Sequence, residues 1–145
     1  MGPCISYEEF IESFKNAPRP AISLLIENEK REILLTKRKQ EPFANHWHLP
    51  GSFIDKGESL YECIIRIGKD ELNVTLDPEK AKLLIVSEDI DKDPRGHVVE
   101  TIYKFVVTND FLPEAVGYTK DVAFFSSLPN DIGFNHPELL KSLGY

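Results

Sequence analysis

The apolar positions of this chain fall into alternating helical and extended patterns. Behind Ser6, with Glu8 and Glu9 in the first turn, Tyr7, Phe10, Ile11 and Phe14 share a helical stripe that residues 16–20 bring to an end. Residues 21–27 and 33–36 are continuous apolar runs separated by the polar residues 28–32, which predicts a hairpin. Residues 47–54 form an extended stretch broken at Pro50-Gly51, and Gly57-Glu58-Ser59 opens a helix expected to reach Leu72. Residues 83–87 predict a strand, followed by a polar loop over 88–96. Residues 97–107 predict a long strand with Val99, Thr101, Tyr103, Phe105 and Val107 on one face. Glu100 falls on the less apolar face, where exposure is expected. A short strand over 122–125 and a last helix, capped by Asn135 or His136 with Pro137 at its first position, complete the pattern. Strands interspersed with helices predict an α/β or α+β fold with a mixed sheet packed by helices.

The helix after Ser59 carries a chemical signal. At ~100° per residue, Leu60, Cys63, Ile64, Ile67 and Gly68 form one apolar arc, with Glu62, Arg66, Lys69 and Asn73 behind it. Glu71 lands inside the apolar arc and Asp70 at its edge, while Arg66 stands four residues before Asp70, a spacing at which the two can pair. A carboxylate on a core-facing stripe is costly unless paired or bound to a cation. Two readings stay open: Glu71 reaches out to an Arg or a backbone group, or Asp70 and Glu71 together hold a hard divalent ion.

Composition narrows the partners. The 145 residues include 17 Lys plus Arg against 24 Asp plus Glu, a net charge of −7, and suit one domain spanning residues 1–145. The acidic balance argues against binding nucleic acid or an anionic membrane, while a small polyanion would need local Arg or Lys residues or a bound cation. The acidity is local: residues 55–93 hold 11 acidic against 6 basic side chains, whereas residues 1–40 hold 7 basic against 6 acidic. Cys4 and Cys63 form no CxxC pair, no apolar run approaches ~20 residues, and residues 1–4 lack the features of a signal peptide. A reduced, cytoplasmic setting is the expectation.

The residues from Leu49-Pro50-Gly51 through Glu58-Ser59 into this helix resemble the signature of the Nudix hydrolase superfamily, G-x5-E-x7-R-E-U-x-E-E-x-G-U, where U is bulky and aliphatic. In that register Glu58, Arg66, Glu71 and Val74 match, Asp70 is a shorter carboxylate, and Ser52 and Asn73 replace glycines. Gly68 stands at an aliphatic position, and Ile67 replaces a Glu. Arg19-Pro20-Ala21, Leu34-Leu35-Thr36-Lys37-Arg38, Glu41-Pro42-Phe43 with Trp47, Asp93-Pro94-Arg95-Gly96-His97, Leu128-Pro129 and Phe134-Asn135-His136 are similar to the ADP-ribose pyrophosphatase branch. That branch carries Asp where this chain has Asn135, and residues 115–118 lack the carboxylates often found before its last strand.

The resemblance implies an α/β/α sandwich around a mixed sheet. It also implies hydrolysis of a nucleoside diphosphate linked to another moiety, ADP-ribose-like or a nucleotide sugar, with Mg²⁺ or Mn²⁺. The implied catalytic set is Glu71, Asp70 and Arg66. The metal would be held by Glu71, Asp70 and the Gly51 carbonyl with Glu58 close by or water-bridged, and Arg66 would hold the carboxylates in place. Arg38 and Arg95 would take the diphosphate, and Phe43 and Trp47 would line a base pocket. His97 and His136 are candidates for the base. The branch commonly dimerises, which an exposed apolar first helix would suit. GDP-mannose mannosyl hydrolases also lack the Glu at the Ile67 position, which leaves open one metal, a different base and attack at a sugar carbon. The alternative is a Nudix domain that binds a nucleotide ligand as a sensor without turnover.

Overall fold

The computed structural model describes residues 5–145, so Cys4 and the start of the chain lie outside the described residues. Strands β1 (Arg19–Glu27) and β2 (Ile33–Arg38) form the expected hairpin, each longer than its apolar run by two residues. The Asn28 side-chain oxygen accepts from the Lys30 and Glu32 backbone at 3.0 and 2.9 Å, and so builds the turn from its own side chain. β1 and β2 pair only at the turn, Glu27 opposite Ile33. Beyond it they part. β1 runs parallel to β6 (Val98–Val106) from Arg19↔Val98 to Glu27↔Val106 and takes β4 (Gly51–Phe53) antiparallel on its other side. β2 pairs instead with β3 (Trp47–His48) and β7 (Thr119–Phe125). Outside β6, β5 (Lys82–Asp89) forms an edge. The sheet is therefore forked, with its closed end at the hairpin.

Both faces of β1 are buried, and each faces its own helix. Ile22, Leu24 and Ile26 pack with Cys63, Ile64, Ile67 and Leu72 of α2 (Leu60–Leu72). On the opposite face Leu25, Ile33, Leu35 and Ile102 meet Trp47, Leu49 and, from α3 (His136–Ser142), Leu139 and Leu140. Each such side chain contributes about 1.5–3 kcal/mol on burial, so this double face fixes the sandwich. Tyr103, Phe105 and Val107 share the α2 side as their alternation predicts.

Local chemistry sets the helix ends. Ser59 and Glu62 form a reciprocal capping box, and Asn73 closes α2 in the left-handed region at φ 53°. Leu60, expected on the apolar arc, is 44% exposed, and Leu72 extends the buried face at the other end. The first helix, α1 (Tyr7–Glu12), turns Phe10 onto Phe53, with Phe14 just beyond it doing the same, and leaves Tyr7 outside. At α3 His136 occupies the first position and Pro137 the second. Asn135 holds the cap position without capping: its Nδ2 donates to the Glu88 carbonyl at 3.0 Å, and its Oδ1 accepts no bond among the described residues. A short 3-10 turn, Pro78–Lys80, capped by Asp77, was not legible in the sequence pattern. Among the described residues, no helix is long and apolar enough to cross a membrane.

Candidate functional site

The open end of the fork encloses a cavity of about 510 Å³, within the range of small-molecule sites. Gly51 is its structural pivot. A Cβ there would stand 2.5 Å from the Ile22 carbonyl and from Ser23 Oγ, so only glycine permits β4 to lie this close to β1. The flanking ladder bonds use the Pro50 carbonyl and the Ile54 N–H, so alternation turns the Gly51 polar groups away from β1. The Gly51 N–H donates to Glu71 Oε2 at 3.1 Å. Enclosure pushes the Glu71 carboxyl up to about 8, against the opposing pull of this bond and of the Arg38 charge. Asp70, on the same turn of α2, lines the cavity beside it.

Three guanidinium groups reach the cavity, and two are already engaged. Arg66 does not pair with Asp70. Its Nε and Nη2 donate to the two Glu58 oxygens at 2.7 and 2.9 Å, and further bonds reach Ser52 Oγ at 2.9 Å and the Phe53 carbonyl at 2.8 Å. This bidentate fit outcompetes a single i+4 contact. The bonds from Arg66 hold the Glu58 carboxyl below its ordinary value. Glu58, expected near the metal, does not line the cavity, because the same bonds turn it toward Arg66. Arg95 gives its edge to Asp93, Nη2 to Oδ2 at 2.8 Å and Nε to Oδ1 at 3.0 Å, and its face to Phe53 and Phe134. Arg38 donates Nε to the Pro42 carbonyl at 2.6 Å and stands over Phe134 at 5.1 Å. Burial, and then the neighbouring Arg95 charge, lower the Arg38 pKa.

The two aromatic candidates sit elsewhere. Trp47 is a core residue against Phe125, with Lys37 over its ring, because β3 tucks its indole beneath β2. Phe43 packs on Phe134 at 4.7 Å and does not line the cavity itself.

On the wall formed by β1 and β6, Glu100 is buried at 5% exposure, contrary to its expected exposure. The reason is parity: Glu100 follows Val98 and precedes Ile102 on the face that α3 covers. His136 reaches it from α3, its Nε2 3.0 Å from Oε1 and 3.3 Å from Oε2. The other ring nitrogen, Nδ1, accepts the Leu49 N–H at 3.1 Å and so carries no proton; Nε2 is the protonated atom that donates to Glu100. Burial opposes the Glu100 charge, and the bonds donated by His136 and by the Ser23 hydroxyl beside it offset that cost. His48 lies parallel to the His136 ring at 6.1 Å and is kept neutral by burial and then by the Arg38 charge. His97 does not line the cavity.

With this geometry in place, comparison with known proteins is decisive: the family model described as NUDIX domain matches residues 17–137. The chain belongs to the NUDIX family. An ADP-ribose pyrophosphatase from Methanocaldococcus jannaschii is 36% identical over 126 residues, 86% of this chain and 72% of that protein. A MutT/nudix family protein from Enterococcus faecalis superposes with a TM-score of 0.76 at 25% identity, covering 94% of this chain and 67% of that one. The NUDIX domain of Shewanella oneidensis NrtR, solved with ADP ribose, shares the fold with a TM-score of 0.73 at 21% identity, covering 96% and 97%.

Four departures from the Nudix signature have visible consequences. Ile67 is 1% exposed and extends the core up to the cavity floor. At Gly68 a Cβ would stand 3.0 Å from Leu76 Cγ, so Leu76 fills the place of the missing aliphatic side chain. Asn73 takes the left-handed cap that glycine otherwise supplies, and Ser52 adds an acceptor for Arg66. Among the described residues, no group of three His, Cys, Asp or Glu side chains stands close enough to hold a metal ion. Sequence reasoning assigned no role to Ser23, His48, Glu100 or Phe134, all of which line the cavity. Phe134 adopts φ 58°, a strained conformation for a bulky residue, between Arg38 and Arg95.

Proposed function

We propose that this chain is a Nudix hydrolase that cleaves the diphosphate of an ADP-ribose-like nucleoside diphosphate compound with Mg²⁺ or Mn²⁺. The observation that carries this reading is one cavity holding Asp70 and Glu71 on α2 together with Arg38, which has no ion-pair partner among the described residues. The relative's activity on ADP-ribose supports the substrate class.

The donor set fits a cation shared with the substrate. Mg²⁺ keeps several waters and is commonly held by one or two carboxylates plus substrate phosphates, so two carboxylates and the outward-turned Gly51 carbonyl suffice. A carboxyl raised to about 8 by enclosure, with one N–H as its hydrogen-bond donor, is also a side chain that a cation would stabilise in its charged form. When bound, the metal would screen the diphosphate and stabilise the charge that develops on it.

The protein's own groups do the rest. The free nitrogens of Arg38 bind phosphate oxygens, and Phe134 holds that guanidinium from below. Arg66 acts on the site through position, fixing the loop that carries Ser52 and Glu58 onto α2. The test is incubation with ADP-ribose, dinucleotides and nucleotide sugars plus Mg²⁺ or Mn²⁺, with products followed by chromatography. Turnover with loss in Glu71→Gln supports the reading. Because Ile67 is apolar and buried, a binding module is the second reading, and tight binding of the same compounds without turnover would favour it.

A further inference from the structure

The proposed hydrolysis needs a group to take a proton from water, and Ile67 stands where the Nudix signature carries a Glu. The cavity offers five carboxylates: Asp70, Glu71, Asp89, Asp93 and Glu100. Asp70 and Glu71 are the cation donors of the proposed function. Asp93 is taken by Arg95, and Asp89 Oδ1 accepts the Lys92 and Asp93 backbone N–H groups. Glu100 remains.

Its placement suits the task. Glu71 receives the Gly51 N–H, Gly51 packs closely on Ser23, and Ser23 stands beside Glu100, so a chain of neighbours along the cavity wall links the two carboxylates. The neutral His136 ring donates one bond to Glu100 and is itself fixed by the Leu49 N–H, which orients the carboxylate without neutralising it. Beyond the bonds from His136 and Ser23, the carboxylate has acceptor capacity left for a water.

We propose that Glu100 is the general base of the hydrolysis. This inference rests on the hydrolase reading. The water oxygen bonds to one phosphorus, and the bond from that phosphorus to the bridging oxygen breaks. The bridging oxygen leaves with the electron pair on the other phosphate, and the proton lost by water passes to Glu100.

The experiment compares wild type, Glu100→Gln and Glu100→Ala on the same nucleoside diphosphate panel with Mg²⁺, with and without added sodium formate. Glutamine still accepts the His136 N–H, so Glu100→Gln should keep the fold and a KM within about threefold of wild type, while kcat falls ~10²–10⁴-fold. Glu100→Ala opens room for a small carboxylate, so formate should raise its turnover at least ~10-fold while doing nothing for Glu71→Gln. Turnover of Glu100→Gln within about fivefold of wild type, or no rescue of Glu100→Ala by formate, overturns the role of Glu100 and leaves the hydrolase reading standing. A wild-type chain that hydrolyses none of the compounds overturns both.

Discussion

Replacing Glu71 by glutamine should stabilise this protein in the absence of divalent cations, and only above acidic pH. The Glu71 carboxyl has an ordinary value of 4.5 in an unfolded chain and about 8 in the fold, because enclosure at the cavity floor disfavours its charge. Below pH 4.5 both states carry the proton and the group is silent. Between those values the folded chain binds the proton that the unfolded chain has released, so folding stability falls as pH rises; above about pH 8 the loss is complete. The whole gap corresponds to ~5 kcal/mol, which water in the cavity reduces to an effective ~2–3 kcal/mol. Glutamine never ionises, and its side-chain oxygen can still accept the Gly51 N–H. Urea unfolding in EDTA should therefore show the two proteins equal near pH 4.5 and the variant ~2 kcal/mol more stable at pH 8.5, a Tm difference of roughly 6–10 °C. Adding Mg²⁺ at 100 times its Kd should raise the wild type by ~3 kcal/mol and leave the variant unmoved. Parallel pH profiles, or a variant weaker at pH 8.5, would refute the argument.

Substitutions at three further positions test the remaining parts of the site. Arg66→Ala should cost ~2–3 kcal/mol and speed amide exchange across residues 52–58, because four hydrogen bonds from one guanidinium tie that loop to α2. Arg38→Ala should raise KM for a diphosphate substrate ~10–100-fold, with Arg38→Lys intermediate; steady-state kinetics at fixed Mg²⁺ reads this directly. Ile67→Glu should tighten Mn²⁺ at least ~10-fold in a calorimetric titration, since it adds a third carboxylate at the cavity floor. An unchanged affinity would show that the floor beside Ile67 is out of reach of the cation.

What the sequence could reveal depended on range. Glu71 betrayed itself because a helical wheel is a local construction: a carboxylate inside an apolar arc is visible whatever packs on it. The same wheel overrated Arg66 with Asp70, because it cannot weigh an i+4 contact against the bidentate acceptor that Glu58 offers from the preceding loop. Glu100 was misread for a related reason. Alternation separates the two faces of β6 but does not say that α3 covers the second one, and the Val98, Glu100, Ile102 parity became meaningful only with that helix in place. A charged residue between two aliphatic ones on one face of a long strand was the signal available. His48 and Phe134 come to the cavity from β3 and from the segment before α3, 86 residues apart in number, and no local pattern joins them.

The forked sheet explains how an acidic chain can receive a polyanion. A hairpin that stayed paired along its length would fill the space with ladder bonds; parting after Glu27↔Ile33 opens a cavity whose walls come from both halves of the sheet. Into it the fold brings charges of both signs and settles two of the three guanidinium groups internally, Arg66 with Glu58 and Arg95 with Asp93. Among the groups left over are those suited to the proposed ligand. Among the described residues Arg38 has no ion-pair partner, and Asp70 and Glu71 are oxygen donors beside a carboxyl-raising enclosure. A bare diphosphate would meet one available guanidinium against several carboxylates, an unfavourable balance in a low-dielectric site. A diphosphate that arrives with a divalent cation reverses that balance, since the carboxylates then face the metal and Arg38 faces the phosphates. Binding of the nucleotide should therefore depend on the cation and the cation on the nucleotide, and by linkage each must tighten the other by the same factor.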